Sequence, residues 1–77
     1  MIEKGMFSKM GDVMIKRYIE DLEKEIEKKP DDKELIFKLG VAYVRINEVD
    51  KARACYKKLK TIDEAMAKEL FDMMYEI

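Results

Sequence analysis

A single proline, Pro30, and three glycines, Gly5, Gly11 and Gly40, are the only strong helix breakers in 77 residues. Punctuation this sparse leaves room for long helices joined by short turns and for little else. The apolar residues recur at helical spacing. Ile15, Ile19, Leu22 and Ile26 mark one face of a helix from about Asp12 to Lys29, widened by Val13, Met14 and Tyr18. Asp12 is its expected N-cap, and Pro30 stops it by driving the preceding residue out of the helical region. Residues 1–11 form a leading segment with no assigned element.

A second helix is expected from Lys33 to Ile46. Ile36, Leu39, Tyr43 and Ile46 form one stripe, Phe37, Val41 and Val44 another, and Leu35 and Ala42 fill part of the rest. A helix apolar on most sides is buried on most sides, so this one is the expected centre. Asp31 and Glu34 have capping-box spacing at its start. A turn at Asn47 and Glu48 leads into a third helix, Val49 to Lys60, with Val49, Ala52, Tyr56 and Leu59 facing inward. Thr61 and Glu64 repeat the capping-box spacing, and a last helix runs to the chain end with Met66, Leu70, Met73 and Ile77 on one face. Phe71 and Tyr75 point elsewhere. Strand-like alternation is absent, so the fold class is all-α, three to four helices in antiparallel hairpins.

Composition narrows the chemistry. There is no histidine, and Cys55 is the only cysteine. A four-ligand Cys/His zinc site and an internal disulfide are therefore excluded, as is a Ser/His/Asp set. Cys55 lacks the neighbouring base that a nucleophilic thiol needs and reads as a buried structural residue. The acidic residues Glu20, Asp21, Glu23, Glu25 and Glu27 are interspersed with lysines, a solvated face and not a metal cluster. No catalytic constellation is left, so the chain is read as no enzyme, with no cofactor and no metal. Sixteen basic against 17 acidic residues, interleaved along the chain, lack the basic excess of a nucleic-acid binder. No stretch is apolar enough to cross a bilayer, and the first residues lack a secretory core, so a cytoplasmic location is expected. Abundant Lys and Glu with no glutamine and a single asparagine is a thermophile-like composition.

Between Pro30 and Glu64 the chain resembles a tetratricopeptide repeat, a helix-turn-helix unit of 34 residues. With Lys33 as the first position, Leu39-Gly40 falls on the family's Leu-Gly pair and Tyr43 on its aromatic position. Ala52 takes the small-residue position and Tyr56 the large aromatic four residues later, while Pro30-Asp31-Asp32 matches the turn that closes a preceding unit. In this pattern Gly40 and Ala52 let two antiparallel helices approach, with Leu39, Tyr43 and Tyr56 filling the space between. Leu59 departs from the family's alanine and Glu64 from its closing proline. The first helix then stands as a degenerate second helix of a unit, or as an unrelated one packed there, and the last as the first helix of a following unit, serving as a cap.

The resemblance implies a protein-binding surface on the first helices of the units. Here that surface would carry Glu34, Phe37, Val41, Val44 and Arg45, extended by Lys68, Phe71 and Tyr75. Phe37, Val41 and Asp72 stand where a carboxylate-clamping subgroup has polar or basic groups, which argues against capture of a client's C-terminus. Two alternatives stay open for the apolar face. It binds a partner protein or a second copy, making a homo-oligomer, or the first helix folds over and closes it as a self-contained structural or regulatory bundle. A weaker third option is membrane-surface attachment through Ile2, Met6 and Phe7. The seven methionines suit either an adaptable surface or core filling by Met10, Met14, Met66 and Met73.

Overall fold

A computed structural model describes residues 2–75, with side-chain positions for 13–75. All elements among the described residues are helical: α1 (Ile2–Lys28), α2 (Lys33–Arg45), α3 (Val49–Lys60) and α4 (Glu64–Tyr75). No helix there is long and apolar enough to cross a membrane. The all-α expectation holds, and the predicted bounds of α2 and α3 agree with the structure to within a residue. The first helix differs. It begins at Ile2, so Asp12 lies inside it and not at its start. Gly5 and Gly11 each cost a helix about 1 kcal/mol, and the Met, Lys and Glu around them are strong helix formers that outweigh the loss. The side chains of Ile2, Met6, Phe7 and Met10, and the whole of Ile77, lie outside the described residues.

The turns show how the sequence sets the helix ends. Asp32, not Asp31, caps α2, its carboxylate accepting from the amides of Glu34 at 3.1 Å and Leu35 at 3.2 Å. Thr61 does not open α4 as its spacing suggested. Its hydroxyl donates to the Lys58 carbonyl at 2.7 Å and finishes α3. Asp63 caps α4 instead, accepting from the Met66 amide at 3.1 Å. Both misplaced caps have the same cause: an aspartate immediately before the helix reaches the free amides directly and displaces the more distant candidate. Between α2 and α3, Asn47 takes a left-handed backbone with φ 64°. The Glu48 amide then reaches the Tyr43 carbonyl at 2.8 Å and the Asn47 amide the Val44 carbonyl at 3.0 Å, a Schellman closure. Asparagine tolerates that backbone better than any other residue bearing a Cβ.

α2 is the centre, as its two apolar stripes required. α1 packs along one flank through Ile19 and Leu22, with Ile15 and Ile26 half-buried, while α3 and α4 pack on the other. α2 and α4 run in the same direction. Lys33 at the start of one pairs with Asp63 at the start of the other at 3.0 Å, and Gly40 meets Leu70 midway along both. The pairing raises the Lys33 pKa and holds the Asp63 carboxyl below its ordinary value. Met14 and Met73 are not core, being 69% and 42% exposed, because both lie off the stripes that α1 and α4 turn towards α2. Val13 and Tyr18 are exposed for the same reason.

Gly40 is buried, and the atoms nearest a Cβ built there belong to Leu70 of α4 and Cys55 of α3. A Cβ there would stand 2.5 Å from Leu70 Cδ2 and 3.2 Å from the Cys55 Cβ. The glycine therefore admits α3 and α4 together. Ala52, three residues before Cys55 on α3, is fully buried. Tyr43 is buried as expected, and Tyr56 is half-buried against the core and meets Phe71 of α4.

The result is a flat array of 45 × 31 × 16 Å. Its radius of gyration is 13.4 Å, against about 11–12 Å for a compact chain of this length. It exposes 6075 Å², where a compact 9.2 kDa monomer would expose about 4,900 Å². Gly40→Ala should lower stability by about 1–2 kcal/mol, since Leu70 is fully enclosed and overpacking exceeds the gain in helix propensity. Chemical denaturation of the two proteins measures this, and an unchanged or higher midpoint would show that α4 yields freely.

Candidate functional site

On one broad face α2 presents Phe37, Val41 and Ala42 as the floor of a groove of about 390 Å³. The i, i+4 spacing of Phe37 and Val41 lays them along one line of the helix. Ile15 and Tyr18 of α1 form one wall and Met73 of α4 the other, with Lys38 and Arg45 supplying the only charges in the lining. Phe37 and Val41 are half-buried, while Tyr18 is 46% exposed. Among the described side chains, α1 therefore walls the apolar face without closing it. This lies between the two arrangements the sequence left open.

The residues expected to form one surface divide into two. Phe37, Val41 and Arg45 share the groove. Glu34 is exposed at the start of α2, and Val44 is half-buried against the core, neither in the lining. Lys68 and Phe71 lie across α4 in a second concavity, with Tyr56, Lys60 and Glu64. There the rings of Tyr56 and Phe71 are 5.4 Å apart and those of Phe71 and Tyr75 4.8 Å apart, within the range of favourable tilted pairs. Arg53 donates to the Tyr75 hydroxyl at 2.8 Å, tying this aromatic row to α3. The division follows from the close contact at Gly40. Leu70 faces α2, which turns the next residue, Phe71, to the far side of α4.

Sequence reasoning missed Tyr18, Lys38 and Met73 as site residues. Tyr18 and Met73 were assigned to packing faces, and Lys38 is one lysine among many. Only the angle at which α1 and α4 lie on α2 shows that all three border one groove.

The opposite broad face carries a more polar cluster between α1, α2 and α3. Tyr43 donates its hydroxyl to Glu23 at 2.7 Å, and the Lys51 ammonium lies 5.8 Å from the Tyr43 ring centre. Burial, and then the Glu23 carboxylate, raise the Tyr43 phenol well above its ordinary value. Cys55, 7% exposed beside this cluster, is pushed up to about 11, chiefly by burial and secondarily by Glu23. A thiol so placed is protonated at neutral pH and poorly nucleophilic, as its sequence context implied.

No protein-family model matches the chain, and no curated protein or solved structure is significantly similar to it.

The titrations have a definite sign. Cys55 and Tyr43 hold their protons more tightly when folded, so their contribution is complete below the unfolded values and is lost as pH rises through the folded ones. Stability should hold up to about pH 9 and then fall, by about 2 kcal/mol at pH 11 from Cys55 alone. Urea midpoints between pH 7 and 11 measure the fall, and Cys55→Ala should remove its first part. A variant with an unaltered pH profile would contradict this account.

Proposed function

We propose that the chain is a protein-interaction and assembly module of the tetratricopeptide-repeat kind, without catalytic activity. Its groove between α1, α2 and α4 receives an apolar helix from a partner protein or from a second copy. The observation that carries this reading is the open apolar floor of Phe37 and Val41, half-buried and bordered by the exposed Tyr18 and Met73. A groove of this form suits an amphipathic helix, which would place its own apolar side chains along the floor. The two cations at its rim, Lys38 and Arg45, favour an occupant with acidic flanks.

The family resemblance at Leu39-Gly40, Tyr43, Ala52 and Tyr56 is consistent with a binding role. The competing reading is a self-contained bundle, favoured by the partial cover that Ile15 and Tyr18 give to Phe37.

Phe37→Asp separates the two. For an interaction groove the variant keeps its far-ultraviolet helical signal and loses self-association together with binding of the apolar dye ANS. Tyr18→Asp, at a more exposed wall position, should do the same with less risk to folding. Unfolding of Phe37→Asp combined with unchanged dye binding and association in Tyr18→Asp would favour the closed bundle.

A further inference from the structure

Among the described residues α1 packs against α2 alone, so its far side is one edge of the flat array. Along that edge runs a shallow concavity of about 380 Å³, lined by six side chains of this one helix: Val13, Lys16, Arg17, Glu20, Asp21 and Lys24. Their recurrence at three and four residues sets them on a single stripe. All six are exposed. The stripe is ordered by charge, with two cations followed by two anions at its centre.

Such an order is its own complement when the helix is reversed. Lys16 and Asp21 are equally far from the point between Tyr18 and Ile19, as are Arg17 and Glu20, and Val13 and Lys24. A second α1 laid antiparallel across that point sets Lys16 on Asp21 and Arg17 on Glu20, twice over. The alkyl stem of Lys24 then lies along the exposed Val13 at each end. A parallel copy in register would set cation on cation and anion on anion, which is penalised. Of the pairs four apart within the stripe itself, Lys16–Glu20 and Arg17–Asp21 put the cation first, the weaker order for a helix. None of the five charges has an ion-pair partner among the side chains described. We infer that this edge is a second interaction surface, independent of whatever fills the groove, and that its partner is the α1 edge of a second copy, antiparallel about a two-fold axis.

A contact of one surface with itself closes, so assembly through it stops at two chains. Rotation about a two-fold axis at the contact keeps like margins together. Tyr18 borders the groove on one margin of α1, and Glu23 meets Tyr43 on the other. The two grooves of the pair therefore open on the same broad face. One pair of helices joined by surface charges belongs with the small, transient interfaces, and salt screens it.

Sedimentation equilibrium at about 300 µM suits a contact this weak. At about 20 mM salt the unmodified chain should reach the mass of two chains and no more, and about 0.5 M salt should weaken the pairing at least ten-fold. Lys16→Glu with Arg17→Glu makes the four central charges acidic, and Glu20→Lys with Asp21→Lys makes them basic. Each variant alone should stay monomeric at low salt, and the two mixed should pair. The four positions are exposed and the new residues are good helix formers, so folding should persist, which circular dichroism checks. Val13→Cys and Lys24→Cys test direction. Mixed and oxidised, they should cross-link to each other and neither to itself, while Cys55 stays buried. A monomeric unmodified chain at low salt, a charge-reversed variant that pairs with itself as the unmodified chain does, or a cross-link of Val13→Cys to itself would each overturn the antiparallel contact. Self-association that survives the higher salt and is lost in Phe37→Asp would also overturn it and would belong to the groove, so the two readings fail separately.

Discussion

The architecture depends on the close approach of α2, α3 and α4 at Gly40. Because this position lacks a Cβ, the Leu70 methyl carbons and the Cys55 Cβ occupy space that any other residue would fill. Interiors are packed like organic crystals, so a small change there displaces whole helices. The contact sets the rotation of α4. With Leu70 turned inward, Met73 borders the groove on one broad face and Phe71 and Tyr75 form an aromatic row on the other side of α4. Both candidate surfaces are consequences of one missing methyl group.

Connectivity fixes direction where packing fixes distance, because the three-residue turns at 46–48 and 61–63 make neighbouring helices antiparallel and so set α4 running with α2. Apolar faces permit two helices to lie side by side in either sense. The caps Asp32 and Asp63 satisfy amides at the starts of α2 and α4, and Asp63 also receives the Lys33 ammonium, which sets the two starts together. The pair is exposed, so its worth in stability is small. Its effect is on register. The row from Tyr43 to Glu23 does comparable work between α2 and α1, and it leaves no buried side-chain polar atom unsatisfied among the described residues.

Much of the fold was legible because local rules sufficed. Helical periodicity, Pro30 and Asn47 placed α2 and α3 to within a residue, and α2's two stripes identified it as the centre. Where the reading failed, the cause was competition between local signals or a missing third dimension. Asp32 and Asp63 outcompeted Asp31 and Thr61, which have the same chemistry one or two residues further from the amides they would serve. The two glycines before Asp12 weaken a helix without the steric block that a proline brings, so the start placed there had no firm barrier behind it. The site was less legible than the fold. Phe37 and Phe71 lie on helices that face the same way in the repeat pattern, and only the rotation of α4 about Leu70 parts them. Tyr18 and Met73 read as core because their spacing is helical, yet the flat array is too thin to enclose every apolar stripe.

The two parallel helices differ most where their capping aspartates bring them into register. Counted from Asp32 and Asp63, Leu39 corresponds to Leu70, Gly40 to Phe71 and Val44 to Tyr75. On α2 the glycine draws a neighbouring helix in to backbone distance, a contact that needs permanent enclosure. On α4 the same position carries a ring, which holds any neighbour away from the backbone and demands a recess of its own depth. On α4 that ring stays uncovered among the described residues, Phe71 being 42% and Tyr75 47% exposed, and the two rings pack instead on each other and on Tyr56.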